Sequence, residues 1–280
     1  MFIINRKFNK EMKWGLVIFG LYLCWSFLWL FYSRVVNGTL ANPYTPQIDI
    51  TKELAGPFTE GHLLGTDIFG RSLFEIVSSG LIYSLSVAFS VSFLCVSIGI
   101  SIGYLTAKKG GAVRVVLDSL TNLIFVFPSI LIAIMIMSVV GQSFWGLVFA
   151  LVVTGWPAYA RIARGEVLRI LALPYVESSK AVGMGEFRLF FKVVLPALVP
   201  VMIIHLVLGL GGVIISEAAL GFLGLGGSEY SWGALLSVAK SVLLEAPYMA
   251  IIISTVMAGL IVGLNLCGDG LRDYFDPHQD

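Results

Sequence analysis

The chain has 280 residues, 58% hydrophobic and only 12% charged, with a mean hydropathy of +0.91 and a formal net charge of +1. A water-facing domain carries about 25% charged residues, and a disordered chain combines low hydrophobicity with high net charge. Both are excluded, the near-zero net charge gives no electrostatic case for nucleic acid, and a polytopic membrane protein remains.

An uncharged run of about 20 residues makes a helix that crosses about 30 Å of hydrocarbon. After a basic tail over 1–13, the run from Trp14 to Tyr32 is the first such helix. It resembles a signal peptide, but no small-residue cleavage site follows, which makes it a retained helix. Residues 33–80 form an outer segment rich in turn pairs: Asn37-Gly38, Asn42-Pro43, Thr45-Pro46 and Gly56-Pro57. It ends in the string Gly65-Thr66-Asp67 followed by Gly70-Arg71, where two glycines around an aspartate suit a tight Asx-type turn. Asp67 and Arg71 are expected there as a surface ion pair worth at most about 1 kcal/mol.

The second uncharged run, Ile76 to Ala107, is expected to span over 81–106, with Ser78, Ser79 and Gly80 as an entry turn. Ser119 to Ala160 is too long for one crossing, and Gly141, Gln142 and Ser143 divide it into spans over 119–140 and 144–160. Spans over 197–216 and 246–267 complete a set of six transmembrane helices. The runs are continuous rather than alternating, so the chain reads as all-α and not as a barrel. Of its 18 Lys and Arg, 14 fall on the side of the two termini and only Arg34, Lys52, Arg71 and Lys240 on the other. The positive-inside rule therefore makes both termini, including the tail over 271–280, cytoplasmic.

The cytoplasmic segment 161–196 is much longer than a link between antiparallel helices needs. Pro174 suits the first position of a helix, Glu177 then favours its positive end, and Gly183 stands where a C-cap glycine belongs. A second short helix is expected over Glu186 to Val194, with membrane re-entry at Leu195-Pro196. Cys24, Cys95 and Cys267 are far apart in or beside spans and suggest neither a disulfide nor a metal site. His205 lies inside a span, where an ionisable group is a functional candidate; it either lines the pore or is a neutral imidazole bonded to a neighbouring helix. Glu217, near the outer end of the same helix, either gates the outer mouth or faces headgroups. Pro128 and Pro157 are expected to kink their helices.

Tyr175-Val176-Glu177-Ser178-Ser179-Lys180-Ala181-Val182-Gly183, then nine residues, then Val193-Val194-Leu195-Pro196, resembles the EAA loop of ABC importer permeases. The spacing is kept; Ser178 and Ser179 replace two alanines and Val193 an isoleucine. The strings at 64–71, Glu217 with 220–226, Ser231-Trp232-Gly233, Ala246-Pro247, 265–273 and Asp276-Pro277 are similar to the C-type permease subunit of the dipeptide, oligopeptide and nickel branch. The resemblance implies a type I importer permease fold over 81–270, about five core helices, to which the first helix is an addition. It implies a coupling segment that docks on a cytoplasmic ATPase, here Tyr175, Glu177, Ser178, Ala181, Gly183 and Pro196, and a membrane half-pore with His205 and Glu217 as pore or gate candidates. The chain has no Gly-Lys dipeptide and hence no P-loop, so ATP and its Mg are expected on a partner, with no cofactor, metal or catalytic residue of this chain's own.

A homologous B-type permease, one or two ATPases, an extracytoplasmic binding protein and membrane lipid are the expected partners, in a bacterial cytoplasmic (inner) membrane. Peptides are the first substrate expectation and nickel or a metal chelate the second. A secondary transporter would want carboxylates at mid-membrane, and an intramembrane enzyme a nucleophile with a base or metal; neither pattern is present.

Overall fold

A computed structural model describes residues 9–36, 44–59 and 61–275. Arg6, Lys7, Asn37-Gly38, Asn42-Pro43 and Asp276-Pro277 lie outside the described residues. The described chain is almost entirely helical: α1 (Lys10–Phe31), α2 (Leu73–Lys108), α3 (Gly111–Val126), α4 (Ser129–Val140), α5 (Phe144–Leu171), α6 (Pro174–Ala181), α7 (Glu186–Leu189), α8 (Leu195–Phe222), α9 (Trp232–Ser241) and α10 (Pro247–Phe275). Five of these segments are long and apolar enough to cross a membrane, and the bent pair α3–α4 makes a sixth when taken as one span.

Helix directions decide how that pair counts. Cys95 of α2 lies against Val152 of α5, Gly99 against Tyr159 and Ala160, and Gly103 against Ala163 and Arg164. The two registers advance together, so α2 and α5 run parallel, and the chain between them must return across the whole bundle through α3 and α4. By contrast Met12, Gly15, Ile18 and Tyr22 of α1 meet Gly270, Cys267, Gly263 and Gly259 of α10 in reverse order, an antiparallel pair. There are thus six traverses, and the described ends meet on one face, where Asn9 Nδ2 donates to Asp273 Oδ2 at 2.6 Å.

Small residues make these crossings close. A Cβ on Gly99 would lie 2.5 Å from Tyr159 Cβ, and one on Gly103 2.7 Å from Ala163 Cβ. Gly99 and Gly103 on α2, like Gly259 and Gly263 on α10, are four apart on one helix face, the small-xxx-small spacing that lets backbones approach in lipid.

Several boundaries differ from the sequence expectation. Ser78, Ser79 and Gly80 are no entry turn: α2 starts at Leu73, and both hydroxyls bond back to the carbonyls of Phe74 and Glu75. Those hydroxyls in turn accept from Trp25 and Trp29 Nε1 of α1 at 2.9 and 3.1 Å. The span over 119–140 is not one rod: α3 begins at Gly111 and is bent from α4 by 92°. Its cause is local, because Phe127 precedes Pro128 and takes the extended backbone (ψ 144°) that the proline ring imposes on its neighbour. Pro157, in contrast, sits inside a continuous α5, which runs on to Leu171 instead of ending near Ala160. Glu186 to Val194 is no separate helix either. A turn of α-helix passes through a π segment, Phe190–Val194, directly into α8, so Leu195-Pro196 lies within continuous helix.

Candidate functional site

The cytoplasmic end is built from α6, α7 and the helices they join. Pro174 opens α6 as expected, and Gly183 follows its C-cap at φ +83°, a left-handed conformation natural to glycine. Tyr175, Glu177, Ser178, Ala181 and Gly183 are all exposed, and Pro196 is exposed farther along at the start of α8. What holds α6 in place is a residue the motif does not name. Val176 is fully buried, in a cluster with Ala163, Val167 and Ile170 of α5, Leu189 of α7, Val194 of the π segment and Leu198 and Met202 of α8. A second tie runs from α2, where Lys108 pairs with Glu186 and Tyr104 packs on Phe190 at a 4.4 Å centroid distance. The outward face carries Val182, 89% exposed, and Phe187, 77% exposed.

At the outer end the short helix α9 folds back between α8 and α10. Ser231 caps it by accepting from the Ala234 amide at 3.2 Å, and Trp232 Nε1 donates to the Val77 carbonyl of α2 at 3.1 Å. Glu217 of α8 is 0% exposed, which settles it as a buried group and not one facing headgroups. Ser84 Oγ of α2 donates to its Oε2 at 2.9 Å, whereas Oε1 has no partner among the described residues. The carboxylate thus links α2 and α8 directly beneath α9.

Above this lies the cap formed by residues 49–59 and 61–72. Asp67 and Arg71 are not a surface pair, because they are 1% and 5% exposed. Asp67 Oδ2 accepts from Arg71 Nε and Nη2, both at 2.8 Å, while Oδ1 accepts from the amides of Phe69 and Arg71. Arg71 Nη1 also reaches Glu229 Oε2 at 3.6 Å, and its guanidinium lies over Phe69 and Tyr230. Gly65 and Gly70 take φ of +82° and +69°, and a Cβ on Gly65 would come within 2.5 Å of the Ala55 carbonyl. Thr66 Oγ1 donates to the Lys52 carbonyl at 2.5 Å and accepts from the Ala55 amide at 2.8 Å. Tyr248 hydroxyl contacts the carbonyls of Ala55 and Thr66 at 3.0 and 2.8 Å, fastening the cap to the start of α10. Gly65, Thr66, Asp67, Gly70 and Arg71 therefore form one knot. The buried pair needs all of these bonds, since removing charges from water costs several kcal/mol each.

The profile of one transport family, the binding-protein-dependent transport system inner membrane component, matches residues 99–280. The chain belongs to that family. It is a permease subunit of an ABC importer, multi-pass in the inner membrane. A glutathione transport system permease protein, GsiD of Pectobacterium atrosepticum, is 33% identical over 79% of this chain and 74% of its own length. A dipeptide transport system permease protein, DppC of Alkalihalophilus pseudofirmus, is 30% identical over 96% of this chain and 88% of its own. The inward-facing methionine ABC transporter MetNI shares the fold, with a TM-score of 0.62 at 19% identity over 72% of this chain and 97% of that one.

Within this permease the candidate residues fall into three places. The coupling candidates lie on the cytoplasmic face, the cap motif on the opposite face, and Glu217 between α2 and α8 beneath the cap. His205 is half-buried on α8, and its carbonyl, 3.5 Å from Tyr159 hydroxyl, ties α8 to α5. Val176, Glu229 and Trp232 were not singled out as site residues. Val176 has only its apolar character to mark it beside polar neighbours, and Glu229 meets Arg71 only after the chain has folded.

Glu217 gives a sharp test. An interhelical hydrogen bond in a membrane protein contributes about 0.6–1.7 kcal/mol, and Glu217→Gln keeps an acceptor for Ser84. Uptake by Glu217→Gln is expected near wild type, while Glu217→Leu loses roughly tenfold. Transport rates normalised to membrane content by immunoblot decide it, and equal uptake by both variants would remove Glu217 from the gate candidates.

Proposed function

We propose that this chain forms half of the translocation pathway of an ATP-driven importer of di- and oligopeptides, and that segment 174–196 receives the motion of a separate ATPase. The reading rests first on likeness along the chain: the dipeptide permease relative aligns over 96% of it. A homologous second permease, one or two ATPases holding ATP and Mg, and an extracytoplasmic binding protein complete the machine.

The coupling role is supported by the contrast between the two faces of α6 and α7. Val182 and Phe187 point away from the bundle at the cytoplasmic end, beside exposed Tyr175 and Glu177, and large exposed apolar side chains rimmed by polar ones mark a protein interface. The inner face, through Val176 and Leu189, is embedded among α5 and α8. A displacement of α6 is therefore carried to those spans, and two arrangements of such packed helices give inward- and outward-open states. His205 and Glu217 are the pore and gate candidates.

Uptake of a radiolabelled dipeptide and of radioactive nickel, compared in cells with and without this chain, tests the substrate class. Dipeptide uptake is expected to depend on the chain and nickel uptake to be independent of it. Unchanged dipeptide uptake in its absence overturns the peptide reading.

A further inference from the structure

A cleft of about 560 Å³ opens beside the outer end of α1, where that helix meets α2 and the cap. Trp25, Leu28 and Trp29 of α1 and Tyr32 just after it line one side, and Phe74 and Glu75 of α2 the other. The rings are mutually braced: Trp25 stacks on Phe74 at 5.8 Å with a 12° interplanar angle, and Trp29 meets Phe74 edge-on at 6.2 Å. Trp29 also lies 5.4 Å from Tyr32. Both indole N–H groups are held by Ser78 and Ser79, so neither tryptophan offers a donor, and Trp29, 6% exposed, serves to brace the wall while Trp25 presents more ring surface.

Glu75 stands in the first turn of α2, and its Oε2 accepts from Tyr44 hydroxyl at 3.1 Å. Burial, and then the adjacent Glu75 carboxylate, pushes that hydroxyl up to about 12, so Tyr44 remains a donor. No Lys or Arg lines the cleft among the described residues; its titratable groups are Glu75 and, on the cap side, His62, and Glu75 is its one carboxylate. Arg34 lines the adjoining cleft, which shares Leu28.

The chemistry of the cleft changes with depth. From Tyr32 inward to Trp25 it follows α1 for about 10 Å at 1.5 Å per residue. Glu75 and the tyrosines sit at the level where aromatic belts meet headgroups, and Leu28 and Trp25 continue toward the hydrocarbon. A carboxylate beside aromatic faces is the chemistry that holds an ammonium ion, and an apolar channel below it accommodates an acyl chain.

We propose that this cleft is a site for a phospholipid with a primary ammonium headgroup, phosphatidylethanolamine, its ammonium between Glu75 and the Tyr32 ring. The lipid braces α1 against the cap and α2. The proposal is independent of what the permease carries.

Native mass spectrometry of the purified full chain, offered equal phosphatidylethanolamine and phosphatidylglycerol, tests it. Wild type is expected to retain the ethanolamine lipid in about tenfold excess, the scale of one desolvated cation–π and carboxylate contact. Glu75→Gln is expected to abolish that preference without lowering Tm. Equal retention by wild type, or an undiminished preference in Glu75→Gln, overturns the proposal, as does displacement of the lipid by a soluble dipeptide with a free amino terminus. Should Glu75→Gln fail to fold, wild-type fluorescence decides. Acyl-brominated phosphatidylethanolamine should quench the Trp25 and Trp29 share of the six tryptophans more than brominated phosphatidylglycerol, and equal quenching overturns the site.

Discussion

Val176→Asp is expected to lower substrate uptake by a hundredfold or more while the permease still inserts in the membrane. The side chain is the one buried residue of α6 and is enclosed by apolar groups from α5, α7, the π segment and α8. An ionised carboxylate in such surroundings costs several kcal/mol, and about 2.7 kcal/mol already corresponds to a hundredfold change. The helix would leave its seat, separating the proposed ATPase contact from the spans. Val176→Ile should retain most uptake, because one added methylene in a packed core costs about 1–3 kcal/mol and introduces no charge. Uptake and ATP hydrolysis measured on the same reconstituted complex make the test: hydrolysis is expected to persist and uptake to vanish. Normal uptake by Val176→Asp would break the coupling proposal.

Gly99→Leu should have a comparable effect for a different reason. A Cβ at Gly99 would stand 2.5 Å from Tyr159 Cβ and 2.8 Å from the Tyr159 carbonyl carbon, so no side-chain rotation makes room. Overpacking a rigid crossing costs about 1–3 kcal/mol per site and more where backbone must shift. The expected result is loss of the chain from the membrane and a Tm reduced by several degrees in whatever is recovered. Gly165, on the facing helix α5, provides the control, since an added Cβ there meets nothing within 4 Å. Gly165→Ala should be neutral or slightly stabilising through helix propensity. A stable, active Gly99→Leu protein would mean that the parallel α2–α5 contact is looser than described.

The sequence made the traverses legible because charges are expelled from lipid-facing helix and collect at its ends. The same rule misplaced those ends. Arg161, Arg164 and Arg169 interrupt the uncharged run, yet α5 continues through them. Arg164 pairs with Asp118 of α3 at 2.8 Å and Arg169 with Glu166, so charge at a helix end was balanced rather than excluded. The break at Pro128 was legible only as a kink, because a proline sets the conformation of the preceding residue but not the angle at which packed neighbours hold the two halves.

The cap shows the other limit. Its glycines and Asx turn could be read locally, but Arg71 is shielded by Tyr230 and approached by Glu229, groups contributed from beyond α8. The EAA-like spacing pointed to the exposed face of α6. Its buried face was not legible, because a valine between tyrosine and glutamate has no mark of its own. Gly99 and Gly103 stand four apart where α2 approaches α5, and locating spans by their lack of charge takes no account of that spacing.

The π segment at Phe190–Val194 has a mechanical meaning. Because it joins α7 to α8 without an intervening loop, the cytoplasmic turn and the span form one continuous helical rod. At 1.5 Å per residue the 28 residues of α8 extend about 42 Å. One degree of tilt about the cytoplasmic end would then sweep the far end by about 0.7 Å. A few degrees would exceed the reach of the 2.9 Å bond between Ser84 and Glu217, making that bond a fuse at the end of a long lever.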